Sequence, residues 1–133
     1  MIPAGMLEPV IHWTDERTGE HVLFEPYTIR WRDFSLHIPA GYRWNGPSVP
    51  HLVRSILDND DCGVAPALGH DFLYAYGGEC PIGTIAPVGR SVTRSEADRL
   101  FLDLMGQAGV KAWRRRAAYL AVRLFGRSHW RAR

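Results

Sequence analysis

The sequence predicts an α+β protein in which a small N-terminal antiparallel β-meander packs on two or three C-terminal α-helices. Two observations predict this class. Apolar and polar residues alternate in short segments before residue 40, which is the period of a strand. After residue 66 the apolar residues recur every three or four positions, which is the period of a helix. A chain of 133 residues can bury one modest core, so residues 1–133 are expected to form a single domain.

The β-meander is expected in residues 1–40. Residues 7–13 and 34–38 are predicted to be strands, and a polar turn is expected to follow the first of them. Residues 21–31 are predicted to be a strand that Pro26 interrupts, because proline is confined to sheet edges and bulges.

Residues 41–65 are expected to be a loop region, because three prolines and two glycines fall within residues 39–50. A helical part is expected over residues 66–126, followed by a basic tail over residues 127–133.

The helical part is predicted to contain three helices. Pro66 suits the first turn of one helix, which Gly77 ends. Thr93 and Glu96 have the spacing of a capping box, which predicts that a second helix begins near Arg94. The apolar stripe of this second helix consists of Ala97, Leu100, Phe101, Leu104, Met105 and Ala108. The third helix is expected to end before Gly126, with an apolar stripe of Trp113, Ala117, Leu120, Ala121 and Leu124.

Several classes of protein are not expected. No apolar run reaches about eighteen residues, which argues against a transmembrane helix. The N-terminus has no basic start followed by an apolar run, which argues against a signal peptide. Cys62 and Cys80 are too few for a disulfide scaffold and lack zinc-site spacing, and free thiols are favoured.

The charge is unevenly distributed along the chain. Residues 1–110 carry 8 arginines and all 14 acidic residues, whereas residues 111–133 carry 8 basic residues and no acid. Such a segment could bind an anionic membrane, an acidic partner protein or nucleic acid. The alternative is a helix face that is only solvated. Nucleic acid is not favoured, because no nucleic-acid-binding signature occurs. The candidate membrane or partner surface consists of Trp113, Arg114, Arg115 and Arg116.

The dipeptide His70-Asp71 is the most chemically suggestive pair in the sequence. His70 and Tyr74 are four residues apart and share a helical face. Asp71 points about 100° away from His70, so each needs a different partner. His70 could take a proton from water, while Asp71 could bind a cation. The alternative is a hydrogen-bonded core histidine beside a solvent-exposed acid.

Asp98 lies on or beside the inward stripe of the second helix. A buried carboxylate requires a partner. His70 on the neighbouring helix would fit, because the acid would then orient the imidazole as in a catalytic His-Asp pair. An arginine or a tyrosine hydroxyl in a purely structural role is the alternative.

The loop at residues 41–50 offers a third element. Gly46 can present a backbone carbonyl of the kind that binds calcium, or an N–H that stabilises an oxyanion. A tight structural turn is the alternative.

Five motifs make residues 7–126 similar to a phage and prophage family catalogued as domain of unknown function 1353. These motifs are residues 38–42 (IPAGY), 45–50 (NGPSVP), 70–74 (HDFLY), 94–101 (RSEADRLF) and 119–126 (YLAVRLFG). The resemblance implies an origin in a phage or prophage, a location in the virion or the host bacterial cytoplasm, and virion or tail proteins as partners.

Residues 41–105 also resemble the catalytic core of phospholipase A2, particularly the compact form in parvovirus capsids. In that core a glycine-rich loop precedes a helix with His-Asp-x-x-Tyr, and a second helix supplies an aspartate. The resemblance implies bound calcium, with Asp71 and the backbone carbonyls of Trp44 and Gly46 as ligands. It also implies His70 as the base, Tyr74 as a hydrogen-bond anchor, Asp98 as the group that orients His70, and the Gly46 N–H as the oxyanion donor.

Three functions follow as expectations. The first is a calcium-dependent phospholipase A2-like lipid esterase with a His-Asp site. The second is a non-enzymatic component of the virion or tail. The third is a metal-dependent peptidoglycan hydrolase, which the absence of an HExxH motif or a helical histidine pair disfavours.

Overall fold

The computed structural model describes residues 7–44 and 64–131. The strands are β1 (His12–Thr14), β2 (His21–Leu23), β3 (Tyr27–Trp31), β4 (Phe34–Ile38), β5 (Arg43–Trp44) and β6 (Ile85–Ala86). The helices are α1 (Val64–Ala75), α2 (Arg94–Gln107) and α3 (Ala112–Phe125), followed by a 3₁₀ turn (Arg127–His129). The chain is therefore an α+β protein, as the sequence predicts.

The strands form two small antiparallel sheets rather than one meander. One sheet has the order β1-β2-β5 and the other the order β3-β4-β6. The predicted strand at residues 21–31 is divided at Pro26 into β2 and β3, which belong to different sheets. Proline lacks the N–H that a continuous ladder would need, which accounts for the break.

Two short strands lie outside the predicted β-meander. Arg43 and Trp44 pair with β2 within the predicted loop region, whose residues 45–63 lie outside the described part of the chain. Ile85 and Ala86 pair with β4 in a segment rich in proline and glycine. Two-residue strands have no periodicity of their own, because tertiary pairing alone defines them.

The capping box predicted for α2 is present. The Thr93 side chain accepts a hydrogen bond from the Glu96 N–H, and the Glu96 carboxylate accepts one from the Thr93 N–H. The residues of its predicted stripe from Ala97 to Met105 are all buried, and Ala108 is the C-cap. α2 packs on both α1 and α3, so it is the central helix of the three.

The predicted apolar face of α3 is correct for Ala121 but wrong for its three large side chains. Trp113, Leu120 and Leu124 are 63%, 56% and 63% exposed, whereas Ala118, Ala121 and Val122 are buried. The small residues let α3 lie close to α2, so the helix turns its larger apolar side chains outward. No helix among the described residues is long and apolar enough to cross a membrane.

The turn after α1 depends on Gly78. Its N–H donates to the Leu73 carbonyl and its carbonyl accepts from the Val92 N–H. Gly78 has a φ of 78°, and a Cβ there would lie 1.7 Å from the Val92 carbonyl oxygen. The backbone that links α1 to α2 therefore leaves no room for a side chain.

We expect Gly78→Ala to lower the free energy of unfolding by more than about 3 kcal/mol, because strained φ and backbone overlap add together. Gly83→Ala is the matched control, since its φ is 90° but nothing lies within 4 Å of its Cβ position. The control substitution should lower the free energy of unfolding by about 1 kcal/mol. Urea denaturation measures the free energy of unfolding of both variants. Equal losses in the two would contradict the steric overlap at Gly78.

Candidate active site

A buried carboxylate lies at the centre of the candidate site. Asp98 is fully buried, and its Oδ1 accepts hydrogen bonds from His70 Nε2 at 2.9 Å and from the Tyr74 hydroxyl at 2.5 Å. Its Oδ2 accepts from Arg123 Nη1 at 2.7 Å, and Arg94 Nη1 lies 3.8 Å away. The carboxylate thus accepts hydrogen bonds from an imidazole and a phenol and faces two arginine cations.

Three helices converge on this carboxylate. His70 and Tyr74 come from one face of α1, Asp98 and Arg94 lie four residues apart on α2, and Arg123 comes from α3. The sequence left open whether Asp98 meets a histidine, an arginine or a tyrosine. The structure brings all three to it at once.

The donors keep Asp98 ionised. Burial by itself raises the pKa of a carboxyl group, but hydrogen bonds from His70, Tyr74 and Arg123 outweigh that effect. The pKa of Asp98 is therefore below its ordinary value. Burial and the contact with Asp98 raise the pKa of Tyr74, so its hydroxyl stays protonated and donates.

The two ring nitrogens of His70 have different surroundings. Because Nε2 faces an ionised carboxylate, it carries the ring hydrogen and donates a hydrogen bond to Asp98. Nδ1 is buried and has no hydrogen-bond partner within residues 7–44 and 64–131. The rings of Tyr74 and Phe101 pack on the imidazole, with centroids 4.1 Å and 4.6 Å away. In neutral His70 the lone pair of Nδ1 can therefore accept a proton.

Asp71 faces a different partner from that of His70, as successive helical residues must. It is 6% exposed, and its Oδ2 accepts a hydrogen bond of 2.7 Å from the Tyr42 hydroxyl. Burial, followed by the nearby Asp71 carboxylate, raises the pKa of Tyr42, which keeps the phenol protonated. Asp71 and Tyr42 both line a cavity of about 720 Å³.

The same cavity is lined by two further candidates for binding a ligand or cation. Trp44 is 4% exposed and stacks on Tyr42 with a centroid distance of 6.2 Å. Glu20 adds a second carboxylate to the cavity wall, 3.6 Å from Arg43. Gly46, the other predicted loop ligand and the predicted oxyanion donor, lies outside the described residues.

A metal-ligating cluster of three histidine, cysteine or acidic side chains does not occur in the described ranges. The oxygen donors on the cavity wall, Asp71 and Glu20, are nevertheless of the hard type that calcium prefers.

The candidate surface at the start of α3 is divided between different contacts. Trp113 is exposed, and Arg114 lies 5.3 Å from the centre of its ring. Arg115 turns back and donates to the Val110 carbonyl at 3.0 Å, whereas Arg116 is exposed.

Three residues that contact Asp98 or Asp71 were not predicted from the sequence. Arg94 precedes Asp98 by four residues, so helical spacing could have revealed it. Arg123 is concealed within a basic run, and Tyr42 lies 29 residues before its partner Asp71, so neither has a local signal.

We expect Asp98→Asn to lower the free energy of unfolding at neutral pH by about 3 kcal/mol, because Arg123 and Arg94 lose their buried counter-charge. The folded pKa of Asp98 is lowered, so ionised Asp98 adds stability above the unfolded value of about 3.9. That stability is lost as the pH falls through the folded pKa.

Urea denaturation over a pH series therefore tests whether the charge of Asp98 stabilises the fold. The difference between the wild type and Asp98→Asn should shrink in acid, while Glu25→Gln, an exposed control, should match the wild type throughout. A difference that stays constant with pH would show that the charge of Asp98 is not what stabilises the fold.

The comparisons with known proteins concern the family alone. The family model described as "Protein of unknown function (DUF1353)" matches residues 21–122. No curated protein and no solved structure matches the chain. The match extends from β2 to Val122 in α3 and includes His70, Tyr74 and Arg94, whereas Arg123, the other residue in contact with Asp98, lies one position beyond it. The chain belongs to the DUF1353 family of proteins of unknown function.

Proposed function

We propose that the protein is a phage- or prophage-encoded, calcium-dependent lipid esterase of the phospholipase A2 type, in which His70 activates water. One observation carries the proposal: Asp98 holds His70 Nε2 at 2.9 Å, and Nδ1 has no partner in the described part of the chain. That is the arrangement a general base requires, with one nitrogen oriented by an acid and the other available.

In the proposed reaction, Nδ1 of His70 takes a proton from water while the water oxygen forms a bond to the ester carbonyl carbon. The carbonyl electron pair moves to its oxygen. When the tetrahedral intermediate collapses, the bond to the leaving alkoxide breaks and the alkoxide takes the proton from Nδ1. Asp98 remains ionised and stabilises the imidazolium that exists between these two proton transfers.

The surrounding residues would position this pair. Tyr74 and Arg123 fix the two oxygens of Asp98, so the carboxylate cannot turn away from His70. The fixed carboxylate would preorganise the base before substrate binds.

Bound calcium would supply positive charge for the substrate phosphate and for the developing oxyanion. Asp71 and the backbone carbonyls of Trp44 and Gly46 would hold it, in keeping with the phospholipase A2 resemblance. Asp71 lies on the wall of the 720 Å³ cavity, which supports this position for the cation and the head group.

A second candidate is a non-enzymatic component that binds virion or tail proteins. It is favoured by the complete burial of His70 and by the hydrogen bonds that both carboxylate oxygens of Asp98 already accept. In this case the polar network would serve only to fix the packing of the three helices.

Fatty-acid release from anionic phospholipid vesicles tests the first proposal. We expect the wild type to be active with calcium and inactive with a chelator. His70→Gln keeps an N–H donor for Asp98 but lacks the lone pair of Nδ1, so activity should fall at least about 100-fold. Circular dichroism should show that this variant remains folded.

Asp71→Asn is the companion variant, and it should raise the calcium concentration needed for activity. Activity that survives in His70→Gln or in chelator would rule out the proposed mechanism. A wild type with no activity under any condition would favour the non-enzymatic candidate.

A further inference from the structure

Four large apolar side chains on α3 are exposed: Phe125, at 56%, and three others that lie in one row along the helix. Trp113, Leu120 and Leu124 are 63%, 56% and 63% exposed. They are seven and four residues apart, so they lie in one row along the helix, which we call the α3 apolar row. The opposite face of α3, which includes Ala118 and Val122, packs against α2. The row is therefore the face of the helix that the fold does not use.

Positive charge lines the α3 apolar row. Arg116 follows Trp113 by three residues, precedes Leu120 by four and is exposed, as is Arg127 just beyond the helix. Arg114 lies against the Trp113 ring. Over residues 111–133 the sequence contains no acidic residue, so these cations have no counter-charge within their own segment.

We propose that the α3 apolar row inserts into the surface of an anionic membrane. A helix that lies in a membrane interface has an apolar row at the acyl boundary and arginines among the anionic head groups. Tryptophan at one end of the row suits the head-group region. The exposed row and the flanking cations are thus both accounted for by one partner.

Two other partners fit these observations less well. A nucleic acid would engage the arginines at its phosphates but would leave Leu120 and Leu124 exposed to water. A second copy of α3 would cover the leucines but would bring two basic segments together, which is electrostatically unfavourable. Of these three partners, only an anionic membrane has both charged head groups for the arginines and an apolar interior for the leucines.

This surface is distinct from the candidate active site, and the proposal does not rest on hydrolysis. Binding can therefore be measured in chelator by co-sedimentation with vesicles of phosphatidylcholine, with and without phosphatidylglycerol. The test variant is the double substitution Leu120→Gln and Leu124→Gln, which keeps side-chain length and helix propensity. Ile82→Gln is the matched control, since Ile82 is 90% exposed but lies outside α3.

We expect the wild type and Ile82→Gln to bind vesicles with phosphatidylglycerol and to bind pure phosphatidylcholine much more weakly. The double variant should bind at least about tenfold more weakly than the wild type, because two leucine side chains no longer leave water. Added salt should weaken wild-type binding. A blue shift of tryptophan emission on binding should be reduced in Trp113→Phe.

Three results would overturn the proposal. The wild type could fail to bind the anionic vesicles, or the double variant could bind them as well as the wild type does. Alternatively, the wild type could bind duplex DNA or self-associate while ignoring vesicles, which would identify one of the other two partners. Unchanged circular dichroism of the double variant keeps the comparison valid.

Discussion

The helical half of this protein is organised around one buried charge. A carboxylate withdrawn completely from water is very unfavourable unless cations and hydrogen-bond donors surround it. Asp98 satisfies this requirement with His70 and Tyr74 on one side and Arg123 and Arg94 on the other. Since these donors come from three helices, a shift of any one helix would leave the charge partly unpaired. Arg94 also donates to the Val122 and Arg123 carbonyls at the end of α3, so it connects α2 to α3 by two further hydrogen bonds.

The same constraint gives His70 its chemical character. A carboxylate that must accept hydrogen bonds holds the proton on Nε2 and directs the lone pair of Nδ1 away from Asp98. Asp71, one residue further along α1, contacts Tyr42 on the wall of the 720 Å³ cavity. Two adjacent residues thus carry an imidazole and a carboxylate toward different surroundings. The proposed lipid esterase would use both, with His70 as the base and Asp71 as a calcium ligand.

Features that local spacing encodes could be predicted from the sequence. The capping box at Thr93 and Glu96 and the buried stripe of α2 follow from helical periodicity. The need of a buried Asp98 for a partner follows from the cost of burying a charge, but the sequence left open whether that partner is a histidine, an arginine or a tyrosine. Features that depend on distant pairing could not be predicted. Examples are β5 and β6, whose two residues each have no pattern, and Arg123, which resembles every other arginine in its basic run.

The error at α3 has a more specific cause. An apolar stripe indicates which side chains avoid water, but not which of two apolar faces meets the protein. On α3 the small residues Ala118 and Ala121 allow the closer approach to α2, so the larger side chains are left outside. Volume rather than hydrophobicity decided the orientation. The consequence is an exposed apolar row beside several arginines, although sequence periodicity alone would assign that row to the core.

The central claim is that Asp98 fixes the tautomer of His70 and leaves Nδ1 as the available nitrogen. Nitrogen-15 NMR of the histidine side chains, with His70 assigned through His70→Gln, tests it most directly, because the chemical shift of each ring nitrogen shows whether that nitrogen carries a hydrogen. The account predicts a protonated Nε2 and an Nδ1 with the chemical shift of an unprotonated ring nitrogen. A protonated Nδ1 beside an unprotonated Nε2 would contradict it, since Asp98 would then not accept the ring hydrogen and no base would face the substrate.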